Sequence, residues 1–168
     1  MKNPVYKFLK IISEFFRNSC IMKAVIEIPK GDDRRRHYVA QKKEFVDFGP
    51  IKEIIPVNNG VMPVDYGFLP DTRNIKEGDE IDVLVLSKEK LSVGQSLDVE
   101  PVALLRRDDG DDKIVAADRT TCGIKKWEDI DAESRKTIVG YFGFRHKIVS
   151  IESSDCAKQY IERAGGID

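Results

Sequence analysis

Two groups of acidic side chains are the first candidates for chemistry in this sequence. Glu77, Asp79 and Asp82 fall within six positions, and four aspartates fall within the five positions 108–112. Carboxylates held together repel one another unless a cation neutralises them, and oxygen-only ligand sets suit hard ions such as Mg²⁺ or Mn²⁺. The first group therefore indicates a hard-cation site. The second group, taken alone, is also what a solvated turn contains.

Basic side chains are grouped as well, and several stand close to the acids in the chain. They are the three arginines at 34–36, the two at 106–107, Lys113, and Arg145 and Lys147 on either side of His146. Such runs are commonly solvated surface. Acids that hold a metal beside cations that hold an anion nevertheless form the apparatus of phosphoryl transfer. A site for a phosphate compound and a merely charged surface both remain open at this point.

Composition narrows the class of protein. The 168 residues include 28 Lys and Arg and 29 Asp and Glu, a formal charge of −1 that argues against a nucleic-acid partner. With 41% hydrophobic residues the chain can bury a core, and no apolar run approaches the roughly 18 residues of a membrane span. Three dispersed cysteines without a CxxC motif predict reduced thiols in a soluble, cytoplasmic protein.

The chain divides into an N-terminal extension, residues 1–22, and a single domain, residues 23–168. Apolar residues recur at helical spacing through the first 21 positions with charges between them, which predicts an amphipathic helix. The extension could pack on the domain or on a neighbouring subunit, lie on a membrane surface, or reflect an upstream start codon. The charges at 7, 10, 14 and 17 exclude a secretory signal, which needs an uninterrupted apolar stretch. We expect packing rather than membrane contact.

The elements that must position these side chains are mostly short strands. Alternation and turn residues predict strands at 24–28, 37–40, 44–48, 52–57, 81–86, 97–107, 113–117 and 147–151. Helices are predicted at 131–142 and at 155–164, the second capped by Ser154. The segment 81–86 is apolar enough for a central strand, and 108–112 forms the turn of a hairpin. The fold class is mainly β with flanking helices (α+β), built as a closed or partly closed barrel.

Four segments, taken in order, resemble the soluble family I inorganic pyrophosphatases over residues 23–164. They are Val-Ile-Glu-Ile-Pro at 25–29, Pro-Val-Asp-Tyr-Gly-Phe-Leu-Pro-Asp-Thr at 63–72, Glu-Gly-Asp-Glu-Ile-Asp-Val-Leu-Val at 77–85 and Asp-Asp-Gly-Asp-Asp-Lys-Ile-Val-Ala at 108–116. The third is the most specific, because it matches the family's Asp-Gly-Asp-Pro-x-Asp-Val-Leu-Val signature.

The resemblance implies an OB-like five-stranded barrel and a hydrolase that splits pyrophosphate into two phosphates with Mg²⁺, or with Mn²⁺. It also implies a homo-oligomer. By position it implies metal ligands at Glu77, Asp82, Asp108 and Asp111, a water-mediated ligand at Glu27, a general base at Asp79, phosphate contacts from Arg36 and Lys113, and Tyr66 beside them.

Departures from the family pattern fall mainly in the phosphate-binding half. The chain has Glu77 for Asp, Glu80 for Pro, Tyr38 for Glu, Phe48 for Arg, Met62 for Tyr, and Arg145-His146 for a Tyr-Lys pair. We expect Arg145 to bind substrate, with Arg106, Arg107 or Lys147 as other replacements for the lost charge. A binding protein with weak or no turnover, or an enzyme for a different phosphoanhydride, therefore stays open. An OB-barrel nucleic-acid binder is a third alternative. It would need exposed aromatic residues along a basic groove, and this sequence does not show that pattern.

Overall fold

The computed structural model describes residues 20–74, 76–121 and 123–165. Residues 1–19, which include most of the predicted N-terminal helix, lie outside the described residues. The described elements are strands β1 Met22–Ile28, β2 Arg34–Val39, β3 Glu44–Pro50, β4 Asp65–Leu69, β5 Ile81–Leu86, β6 Ser96–Arg107, β7 Lys113–Asp118 and β8 Ile148–Glu152, and helices α1 Ala132–Phe142 and α2 Ser154–Arg163. Within these ranges, no helix has the length and apolar character needed to cross a membrane.

Five strands close into a ring, which confirms the predicted barrel. They pair in the order β1-β4-β5-β7-β6, and β6 pairs again with β1. Strand β8 extends the sheet beyond β6, and β2 and β3 form a separate antiparallel hairpin. Strand β5 lies between antiparallel β4 and parallel β7, so it is the central strand that its apolar sequence predicts.

Alternating side chains place two hydrophobic clusters on the two faces of the sheet. Val83 and Val85 of β5 belong to the cluster that packs against α2, whereas Leu84 belongs to the cluster that packs against α1. Because successive side chains of a strand point to opposite faces, Asp82 shares the face of Leu84. The predicted site residue on β5 therefore lies on the α1 side of the sheet.

The segment between β3 and β4 corrects one prediction. A strand at 52–57 is wrong, because Ile51–Glu53 form a 3₁₀ turn. The amides of Ile54 and Ile55 both donate to the carbonyl of Ile51, at 2.9 and 2.8 Å, so local bonds replace a strand ladder. This turn brings isoleucine side chains to the α1 side of the molecule.

Both helices begin close to their predicted starts, with one change of cap. Asp131 caps α1 by accepting the Ser134 amide at 2.8 Å. Helix α2 is capped by Ser153, whose hydroxyl accepts the Cys156 amide at 3.3 Å, rather than by the predicted Ser154. The spacing of the apolar residues correctly predicts which face of the helix is buried. The residue that caps the helix depends instead on the backbone angles at its first turn.

Candidate active site

A cleft of 410 Å³ lies between the barrel, the turn after β3 and the end of α1. Half of the predicted site residues line it, namely Tyr66, Glu77, Asp111, Lys113 and Arg145. The cleft is also lined by Arg107, which the sequence offered as a replacement cation, and by residues that it did not single out as site residues, among them Arg35, His37 and Asp109. One wall is apolar and includes Ile54, Ile55, Met62 and Phe142. The cleft thus combines a charged floor with an apolar side.

Lys113 is the centre of the charged floor. Its ammonium forms an ion pair with Asp82 and a second one with Asp111 at 2.7 Å. The side chain is only 4% exposed. It also lies 5.9 Å from the centroid of the Tyr66 ring, within range of a cation–π contact. Strand β4, strand β5 and the turn before β7 therefore bring Tyr66, Asp82 and Asp111 together around the buried ammonium of Lys113.

Burial controls the protonation of the two groups beside this cation. Burial raises the pKa of Tyr66 well above its usual value, and the carboxylates of Asp82 and Glu27 add to the effect. Burial also raises the pKa of Asp82, against the opposing influence of Lys113. Tyr66 consequently keeps its proton throughout the neutral range.

Glu27 lies on β1 and is buried, and it does not line the cleft. One of its oxygens accepts the Tyr38 amide at 2.6 Å, and the other lies 3.5 Å from Nδ1 of His37. This carboxylate raises the pKa of the His37 imidazole. Glu27 is thus held against β2, next to His37, which does line the cleft.

The run of three arginines on β2 presents a different member to the cleft from the one predicted. Arg36 pairs with Asp32, whereas Arg35 lines the cleft and donates from Nη2 to the carbonyl of Phe48. Arg35 and His37 share one face of β2, as the period of a strand requires. The alternation places Arg35 with His37, but the sequence does not show which of the two faces of β2 borders the cleft.

The two arginines at the end of β6 also separate. Arg106 pairs with Asp112 at 3.1 Å and with Glu152 at 3.3 Å. Arg107 lines the cleft and reaches Asp111 at 3.2 Å and Asp109 at 3.4 Å. Arg107 is therefore the member of this pair that adds positive charge to the cleft.

The hairpin after β6 meets the segment after α1 at the rim of the cleft. The amide of Asp108 donates to the carbonyl of Lys147 at 2.9 Å. Nδ1 of His146 lies 3.6 Å from a carboxylate oxygen of Asp108 and 3.6 Å from one of Asp109. Across the described ranges, these three residues form the group whose possible metal-ligand atoms all lie within 4.8 Å of one another.

Asp79 does not line the cleft but a second depression, lined also by Tyr38, Thr72 and Arg73. Burial raises its pKa, and the charge of Asp111 adds to the rise. Its main-chain carbonyl accepts the Asn74 amide at 2.6 Å. The predicted base thus feels the charge of Asp111 but lines a different depression from Lys113.

Comparisons with known proteins agree with this arrangement. The inorganic pyrophosphatase family profile matches residues 24–163. The inorganic pyrophosphatase of Methanosarcina acetivorans is 35% identical over 128 residues, 73% of each chain. That of Leifsonia xyli is 35% identical over 124 residues, 70% of this chain and 72% of its own.

Solved structures show the same fold. The inorganic pyrophosphatase of Ehrlichia chaffeensis superposes with a TM-score of 0.76 at 24% identity, covering 86% of this chain and 92% of that one. The Neisseria gonorrhoeae enzyme gives 0.74 at 25% identity, covering 88% and 90%. The profile match extends over nearly the whole described chain and includes the residues around Lys113. The chain therefore belongs to the inorganic pyrophosphatase family of hydrolases.

Proposed function

We propose that this chain hydrolyses inorganic pyrophosphate to two phosphates in the cleft around Lys113, with Mg²⁺ as its metal and Mn²⁺ as a substitute. The observation that carries the proposal is the pairing of Asp82 and Asp111 through one buried ammonium. The names of the relatives supply the substrate. A phosphoanhydride with several negative charges suits a cleft in which carboxylates and cations alternate.

The donor set fits a hard divalent ion. Glu77, Asp82, Asp108 and Asp111 would hold it through carboxylate oxygens, which are the ligands that Mg²⁺ prefers, and Glu27 would hold a further ion through water. Asp82 and Asp111 already converge on one positive charge. When bound, the ion would offset the phosphate charge and lower the pKa of water.

The chain's own side chains would bind the substrate and move the proton. Lys113 and Arg145 line the cleft and would bind phosphate oxygens. On β2 we assign the phosphate contact expected of Arg36 to Arg35, because Arg35 lines the cleft and Arg36 pairs with Asp32. Tyr66, which keeps its proton, would donate a hydrogen bond to the anion. Asp79 would accept the proton of the attacking water as general base.

The test is release of phosphate from pyrophosphate by the wild type and by Asp79→Asn, with Mg²⁺ and with Mn²⁺. Loss of a general base lowers the turnover rate about 10²- to 10⁴-fold. Glu80→Gln is the matched control, because it removes the adjacent carboxylate without touching the proposed machinery, and it should retain activity. Thermal unfolding of each variant confirms its fold.

Two results would contradict the proposal. No release by the wild type with either ion contradicts the enzymatic function, and full activity of Asp79→Asn contradicts the assignment of the base. A wild type that pyrophosphate and Mg²⁺ stabilise without turnover would instead select a binding protein. Phe48, exposed where the family has an arginine, favours that second candidate.

The apolar wall also bears on the substrate. Ile54, Ile55 and Met62 border the anion-binding part of the cleft, and none of them can bind a phosphate oxygen. Tripolyphosphate and nucleotides assayed beside pyrophosphate identify the preferred phosphoanhydride. We expect pyrophosphate to be hydrolysed fastest. Four cationic side chains line the same cleft, namely Arg35, Arg107, Lys113 and Arg145.

We further propose a homo-oligomer in the cytoplasm. Val149 on β8 and Phe144 after α1 are 58% and 47% exposed. Two large apolar side chains in neighbouring segments suit a contact between subunits. Light scattering on the purified chain tests this, and a monomer at micromolar concentration would contradict it.

A further inference from the structure

The rim of the cleft carries three side chains that offer a nitrogen as well as oxygens, and one of them, Asp108, also belongs to the all-oxygen set described above. Asp108 and Asp109 come from the hairpin after β6, and His146 comes from the segment after α1. The backbone bond from Asp108 to Lys147 ties the two segments together at 2.9 Å. The three side chains are 49%, 24% and 44% exposed, so an ion in solution can reach them.

The spacing of their atoms suits ligands of one ion. Nδ1 of His146 lies 3.6 Å from an oxygen of each aspartate, too long for a hydrogen bond. Two ligand atoms each about 2.1 Å from an ion lie roughly 3.4 Å apart at the tetrahedral angle and roughly 3.0 Å apart at the octahedral angle. The two 3.6 Å separations are thus close to those between neighbouring ligands of one ion, and the possible ligand atoms of all three side chains lie within 4.8 Å of one another.

We propose that Asp108, Asp109 and His146 form a site for a nitrogen-preferring divalent ion of the Zn²⁺ or Co²⁺ type. An imidazole ligand favours these ions strongly over Mg²⁺, whose ligands are oxygens. The site's role at the edge of a catalytic cleft rests on the proposed function, but the binding of the ion does not.

The hydrogen bonds around Asp109 leave the required oxygen available. Its Oδ1 accepts the Asp111 amide at 3.1 Å, while Oδ2 faces His146. Arg107 competes for Oδ2 at 3.4 Å. The same guanidinium reaches Asp111 at 3.2 Å, so it keeps a carboxylate partner when an ion takes Oδ2.

Three protein ligands leave one tetrahedral position open. His146 and Asp109 line the cleft together with Arg145, so the open position faces the space proposed for substrate. A phosphate oxygen would fill it, as water or substrate fills the fourth position of catalytic zinc sites.

The test is a titration of the purified, metal-stripped full chain with Co²⁺ alone, followed by visible absorption. Four-coordinate Co²⁺ absorbs much more strongly than the six-coordinate ion expected at an all-carboxylate site. The wild type should show the strong absorption, and Zn²⁺ should abolish it by displacement, whereas excess Mg²⁺ should not. His146→Gln and Asp109→Asn should each weaken Co²⁺ binding more than about tenfold, since losing even an outer partner of a ligand costs about 10- to 100-fold.

His37→Gln is the matched control, because it removes the chain's other histidine from the same cleft. It should keep the wild-type Co²⁺ affinity. Absence of the strong absorption in the wild type, its retention in His146→Gln, or its equal loss in His37→Gln would each overturn the proposal. Phosphate release with Mg²⁺, measured in parallel, separates failure of this site from failure of the proposed function.

Discussion

Replacing Lys113 with methionine removes the cation between two carboxylates while keeping a side chain of similar length. Lys113 is 4% exposed, and its partners Asp82 and Asp111 are 21% and 23% exposed. Removing one partner of a buried ion pair costs about 3–5 kcal/mol, because it leaves a charge buried and unpaired. Since both carboxylates retain some contact with water, we take the lower end, about 3 kcal/mol.

This loss is measurable by thermal unfolding. For a domain of this size, 1 kcal/mol shifts Tm by about 2–4 °C, so Lys113→Met should lower Tm by about 6–12 °C without added metal. Mg²⁺ should then raise Tm more in the variant than in the wild type, because it replaces the missing charge between Asp82 and Asp111.

Lys23→Met is the control for loss of a lysine from the barrel. Lys23 pairs with Asp98 at 2.7 Å, but the two side chains are 63% and 37% exposed. Such a surface pair is screened by water and contributes little to stability. A Tm of Lys113→Met close to that of Lys23→Met, or an equal response to Mg²⁺ in Lys113→Met and the wild type, would refute the role given to Lys113.

Three further results are expected. Arg35→Gln should raise KM for pyrophosphate about 10-fold or more by removing a charge-assisted bond, whereas Arg36→Gln should change it less than about fivefold; the reverse order would contradict the assignment. Gly67→Ala should prevent stable folding, because its Cβ would lie 1.9 Å from a carbonyl of β1; a wild-type Tm would refute this. Burial raises the pKa of Tyr141 to about 12, so stability should be full below pH 10 and fall towards pH 12. Tyr141→Phe should show a weaker alkaline loss, and an unchanged loss in equilibrium unfolding would contradict it.

The barrel could be predicted from the sequence because its signals are local and agree with one another. The apolar run 81–86 predicts a strand buried on both sides, and β5 has the same bounds. The segment 52–57 also contains isoleucines and a valine but lies outside the sheet. The amides of Ile54 and Ile55 bond within a 3₁₀ turn, and Pro56 has no amide to donate to a strand ladder.

The acidic half of the site followed from motifs, whereas its cationic half depended on strand register. Three consecutive arginines carry no alternation of their own, and the pairing of β2 with β3 shifts between Arg34 and Arg36. Which arginine faces the cleft therefore depends on an irregularity that the sequence does not mark. His146 presents the same difficulty, because the fold brings it to Asp108 from a distant segment of the chain.

The most direct test of the central claim is the initial rate of phosphate release from pyrophosphate by the purified full chain with Mg²⁺. We predict that two phosphates form per pyrophosphate, that the rate vanishes when the metal is chelated, and that Asp79→Asn lowers it at least about 100-fold. A wild-type rate no higher than that of heat-inactivated protein, with both Mg²⁺ and Mn²⁺, would contradict the claim.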